Sequence, residues 1–151
     1  EGNPTNYPAA YAPQIAGAMT VGAVGPSLRR ASYSTTGTYV EIAAPGGDVR
    51  SAGQSGMIWQ VGLNRPDFDS RVVIPRFDRY IEEANQGTSM AAPHVAGVAA
   101  LLVSQGYSNP AAIEAAIRRF ARDLGPAGQD PEYGAGLIDA RATLRGLGVA
   151  R

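Results

Sequence analysis

The chain has 151 residues, 44% of them hydrophobic, which suits one compact domain with a core but leaves little for a second. Thirteen basic residues, all Arg, balance thirteen acidic ones, so no net field draws the chain to nucleic acid or an anionic membrane, and neither is expected as a partner. With no cysteine and one histidine, disulfides, thiolate chemistry and multi-histidine metal sites are excluded, and no apolar run approaches the roughly 18 to 20 residues that span a bilayer.

Residues 15–24 are small and apolar and end in Val21-Gly22-Ala23-Val24, the pattern of a buried strand in a parallel sheet. A second strand is predicted over residues 39–43. It is stopped by the turn Ala44-Pro45-Gly46-Gly47 and followed by a short extended piece at 49–52. Residues 53–86 crowd charges of both signs and read as an exposed inserted arm, a hairpin with Val72-Val73-Ile74 in one strand, serving either a functional role or none beyond a solvated insertion. Residues 90–103 carry no charge if His94 is neutral, which predicts a helix buried on all sides, with His94 as a packing residue. Ser108 or Asn109 caps a further helix that starts at Pro110, turns Ile113, Ile117, Phe120 and Leu124 to one face, and ends at Gly125. Gly136-Leu137-Ile138 reads as a last short strand, and Asp139 caps a final helix through about Leu147, closed by Gly148. Strands alternating with helices give an α/β layered fold with a mainly parallel sheet.

Chemistry concentrates at Gly87-Thr88-Ser89. A serine just before a buried helix lies where unpaired N–H groups and the positive end of the helix dipole converge, so negative charge developing there is stabilised. Gly87 allows a substrate backbone to approach, and Thr88 adds a hydroxyl to the same space. On Thr-Ser alone, ordinary N-capping is the simpler reading. A lipase-type elbow needs glycine two residues after the serine, where this chain has Ala91.

The string Gly87-Thr88-Ser89-Met90-Ala91-Ala92-Pro93-His94-Val95-Ala96-Gly97 resembles the nucleophile motif of subtilisin-like serine peptidases. Tyr7-Pro8-Ala9-Ala10-Tyr11, Arg30-Ala31-Ser32-Tyr33-Ser34, Ile42-Ala43-Ala44-Pro45-Gly46 and Tyr133-Gly134-Ala135-Gly136-Leu137-Ile138-Asp139 are similar to further segments of that family. The resemblance implies the C-terminal portion of a three-layer subtilisin-like domain spanning residues 1–151, interrupted by the charged arm. It implies a serine endopeptidase with Ser89 as nucleophile and Thr88 at the oxyanion hole. Asn3 is either its side-chain donor or a turn residue before Pro4. Asn6, Tyr7, Pro8, Ala9 and Gly87 are the implied substrate-binding residues, with Tyr7-Pro8 a candidate cis bond.

The family's base is a histidine oriented by an aspartate, both N-terminal to the serine. His94 follows Ser89 by five residues on the same helix, which turns the two side chains about 140° apart. The expected partners are therefore a polypeptide substrate and an N-terminal part of the same peptidase domain. The alternative is a non-catalytic interaction module on the same fold. No cofactor is expected for the chemistry. A weak structural calcium site at the carbonyls of Ala9, Tyr11 and Gln14 and an extracellular or cell-envelope location are further implications of the resemblance.

Overall fold

The computed structural model describes residues 3–63, 78 and 80–148. Two short parallel strands, β1 (Val21–Val24) and β2 (Ile42–Pro45), pair in register from Val21 with Ile42 to Val24 with Pro45. Leu137 joins them through a parallel bridge to Ala43, with the Ala43 N–H donating to the Gly136 carbonyl and the Ile138 N–H to the Ala43 carbonyl, both at 2.9 Å. These strands are too short to bury much area alone. They are held from one side by α2 (Thr88–Ser104), which packs on both. Helix α2 also meets α3 (Pro110–Arg119), and α3 meets α4 (Ala140–Gly146). Ala23, Ile42, Ala44, Ala91, Val95, Leu102, Ile113 and Ile117 form the main core, and Val24, Ala43 and Tyr133 form a smaller one. This is the α/β architecture that the alternating pattern implied.

Local chemistry explains where the elements start. Asn109 and Asp139 accept hydrogen bonds from the N–H groups of Ala112 (3.1 Å) and Ala142 (2.7 Å), which caps α3 and α4. Residues 49–52 are a helical turn, α1 (Val49–Ala52), not an extended piece, because Asp48 caps them by accepting from the Arg50 N–H at 3.0 Å. The second strand lies over 42–45, later than the 39–43 expected. Helix α3 stops at Arg119, short of Gly125, because Arg122 leaves it to exchange two 2.8 Å backbone bonds with Leu137.

The arm is represented by an antiparallel ribbon, β3 (Ile58–Leu63) with β4 (Tyr80–Asn85). Val72-Val73-Ile74 lie outside the described residues. The exposed side chains of Trp59, Val61 and Tyr80 sit on this ribbon.

Helix α2 is not buried on all sides. Only Ala91, Val95, Val98 and Leu102, spaced to form one stripe, are buried, while Leu101 and Val103 are 48% and 57% exposed. His94 is exposed rather than packed, beside an open pocket that it lines with Ile58, Gln60, Met90 and Pro93.

One buried carboxyl carries a pH signature. The Glu41 side chain is 4% exposed, accepts from the Thr20 N–H at 3.0 Å and lies 3.5 Å from Arg118. Burial, the largest cause, pushes its pKa above the ordinary carboxyl value. The Thr20 N–H pulls it back, the neighbouring Glu114 raises it, and Arg118 lowers it. The fold therefore favours the protonated form. Its contribution is complete below the ordinary glutamate range and is lost as pH rises through the raised pKa. Glu41→Gln is expected to flatten the decline of the melting midpoint as pH rises above the ordinary glutamate range. An unchanged profile would assign that decline to other groups.

Candidate active site

Gly87 is the residue on which the loop turns into α2. Its φ of 150° is one that side-chain-bearing residues rarely adopt, and a Cβ placed on it would lie 3.6 Å from the Ser89 nitrogen. Glycine thus leaves the Ser89 N–H uncovered. The Gly87 carbonyl takes the N–H groups of Met90 (2.9 Å) and Ala91 (3.3 Å), closing the first turn. Among the described residues, the N–H groups of Thr88 and Ser89 have no acceptor, and both residues are exposed. Two free donors at the start of a 17-residue helix, beside a serine hydroxyl, make a position suited to a developing oxyanion.

The loop is held from behind. The Gly87 N–H donates to the Gly46 carbonyl at 2.9 Å, tying it to the turn that ends β2. The hydroxyl of half-buried Tyr33 lies 2.8 Å from the same Gly46 carbonyl and 2.6 Å from that of Gly47. Burial, the largest cause, raises the Tyr33 pKa; the Gly87 N–H lowers it and the charge of Asp48 raises it, so the hydroxyl stays a donor beyond the ordinary tyrosine range. Gln86, one residue before Gly87, accepts from the Val49 N–H at 2.7 Å.

Ser89, Thr88 and Gly87 are therefore brought together. Other sequence-predicted residues sit elsewhere. The Asn6 N–H donates to the Tyr39 hydroxyl (3.2 Å), and the Ala9 carbonyl accepts from the Thr20 hydroxyl (2.6 Å), which fixes this segment at the entries to the two strands. Gly46 and Gly87 lie past the exit of β2. Tyr7 is 62% exposed, stacks obliquely on Tyr11 with centroids 5.1 Å apart, and its bond to Pro8 is cis. The Asn3 side chain is committed to Thr36: its Nδ2 donates to the carbonyl and to Oγ1 (2.8 Å), and its Oδ1 accepts from the N–H (3.0 Å). Both amide hydrogens are used, and this arrangement offers no donor to an oxyanion.

His94 Nδ1 lies 2.8 Å from the Met90 carbonyl, so the ring turns to its own helix and not to Ser89. The carbonyls of Ala9, Tyr11 and Gln14 are a poor fit for calcium. The Ala9 oxygen already accepts from Thr20, and residues 3–20 contain no carboxylate, the ligand that hard cations favour. No group of three or more metal-binding side chains occurs among the described residues.

Tyr33, Gly46 and Gln86 join the site without having been predicted for it. Gly46 is visible in the sequence as a turn glycine, but its contact with Gly87 spans 41 positions and leaves no local pattern.

The sequence profile described as Subtilase family matches residues 1–136. The chain is 34% identical over 145 residues to the minor extracellular protease Epr of Bacillus subtilis, covering 93% of this chain and 18% of that protein. It is 39% identical over 141 residues to a thermostable alkaline protease of Halalkalibacterium halodurans, covering 91% of this chain and 30% of that one. Among solved structures, a protease from Pseudoalteromonas arctica superposes with a TM-score of 0.69 at 33% identity, covering 93% of this chain and 38% of the other. The chain thus spans well under half the length of each of these relatives.

Proposed function

The chain belongs to the subtilase family, and from that premise we propose that it is the C-terminal, nucleophile-bearing part of a secreted serine endopeptidase domain. The observation that carries the reading is the hydroxyl of exposed Ser89 beside its own N–H, which has no acceptor among the described residues, at the head of α2. In this reading Ser89 Oγ attacks the carbonyl carbon of a peptide bond while a base takes its proton. The Ser89 N–H, with Thr88 beside it, stabilises the oxyanion. The C–N bond then breaks, the amine leaves with that proton, and water releases the acyl group from Ser89. An extracellular or cell-envelope location follows the relatives, one of which is named as an extracellular protease.

The base and its aspartate come from an N-terminal part of the same domain. Two features support this partner. The single histidine faces its own helix. An apolar groove of about 400 Å³, lined by Met19, Val21, Ala96, Ala99 and Val103 among others, opens beside the exposed flank of α2 and awaits a covering layer. No helix among the described residues is long and apolar enough to cross a membrane.

Casein hydrolysis separates the parts. The full-length protein is expected to cleave casein, and the 151-residue chain alone is expected to show no cleavage, because only an oxyanion site remains without a base. Robust cleavage by the isolated chain would overturn the division of labour.

A further inference from the structure

Tyr33 stands in no direct contact with Ser89, yet its hydroxyl closes the contact on which the Ser89 loop rests. We infer that Tyr33 is a positioning residue for the nucleophile: by holding the Gly46-Gly47 turn against Gly87 it sets where the Ser89 N–H points. This role rests on Ser89 being the nucleophile.

The geometry is over-determined around this hydroxyl. The residues on either side of Tyr33 are pinned. Ser32 donates through its N–H (3.1 Å) and hydroxyl (3.3 Å) to Asp48, and the Ser34 oxygen accepts from the Ala23 N–H at 3.0 Å. The ring is therefore aimed in advance of substrate. At its tip, one proton is shared between the carbonyls of Gly46 and Gly47, and the Gly46 oxygen uses its other lone pair for the Gly87 N–H. There is no slack at this point. A Cβ on Gly46 would lie 2.6 Å from the Ala23 Cβ, 2.8 Å from the Gly87 carbonyl oxygen and 2.9 Å from the Tyr33 hydroxyl. Strand, turn, tyrosine and nucleophile loop meet within one glycine's space, so loss of the hydroxyl frees the Gly47 carbonyl and loosens the turn that Gly87 leans on. A donor aimed at an oxyanion loses effect when its direction is no longer fixed.

The test is Tyr33→Phe in the full-length protein. The kcat is taken per site titrated by a fluorophosphonate, so that a partly folded preparation still gives a reading. The kcat is expected to fall about tenfold with KM within about twofold. A peptide aldehyde, which forms a tetrahedral adduct, should bind more weakly by the same factor, whereas the matching peptide alcohol, which forms none, should bind unchanged. A purely structural role would move the melting midpoint and leave the aldehyde-to-alcohol ratio as it was. Unchanged kcat and aldehyde affinity, or equal weakening of both ligands, would remove Tyr33 from this role. An inactive wild type would instead bring down the assignment of Ser89 itself.

Discussion

Ser89→Ala in the full-length protein is expected to lower kcat on the order of a million-fold, the scale of loss when the nucleophile of a serine, histidine and aspartate unit is removed. The residue is exposed and its hydroxyl has no hydrogen-bond partner among the described residues, so its loss should leave the fold alone. The melting midpoint is expected to move by no more than a surface substitution does, about 0.5 kcal/mol in stability. Activity and stability have to be measured together. A loss of activity with a matching loss of stability would describe a broken fold, whereas a loss of activity alone describes missing chemistry. Retained turnover in the alanine variant would sink the assignment of Ser89.

The largest stability effect is expected at Gly134. Its φ of +64° already disfavours a side chain, and a Cβ there would lie 2.2 Å from the Glu41 carbonyl carbon, 2.4 Å from its oxygen and 2.5 Å from the Ile42 nitrogen. All three are backbone atoms at the start of β2 and cannot turn aside as a side-chain tip would. The Ala135 N–H bond to the Glu41 carbonyl, 2.9 Å long, holds the two segments at this distance. Adding the strain of the backbone conformation to that of overpacking, Gly134→Ala should cost about 3 to 5 kcal/mol in denaturant unfolding. Gly53 is the internal comparison. Its φ is +60° with ψ −155°, a conformation that essentially only glycine adopts, and no atom lies within 4 Å of the place a methyl group would take, so Gly53→Ala carries backbone strain without overpacking, about 1 to 3 kcal/mol. Equal costs at the two sites would show that the close approach to β2 carries no weight.

Features set by neighbours along the chain are legible in the sequence alone. Asp139 and Gly148 bracket α4, and Pro110 marks the start of α3, because capping and φ restriction act within a few residues. The Gly87-Thr88-Ser89 turn into α2 is legible for the same reason. Features that depend on distant groups, or on groups outside this chain, are not. The α1 turn escapes sequence reading because the Asp48 cap outweighs an extended-looking composition. An uncharged run suggests that α2 and His94 are enclosed, but composition reports what a helix is able to bury and not whether its cover lies in the same chain. The Tyr33 clamp is invisible because a tyrosine between two serines has no pattern of its own; only the return of the chain at Gly46 and Gly87 gives it partners. Asn3 is the converse case. A Gly-Asn pair leaves open an oxyanion donor or a turn residue before Pro4, and Thr36, 33 residues away, occupies its amide.

The claim that Ser89 is an activated nucleophile is tested most directly by where a fluorophosphonate attaches. Tryptic cleavage after Arg79 and Arg118 isolates residues 80–118, so the adduct on the full-length protein is expected on that peptide, with fragment ions placing it on Ser89. The isolated 151-residue chain is expected to remain unlabelled. A folded full-length protein that takes no label, or takes it on another residue, would contradict the account and favour a non-catalytic module on a subtilase fold.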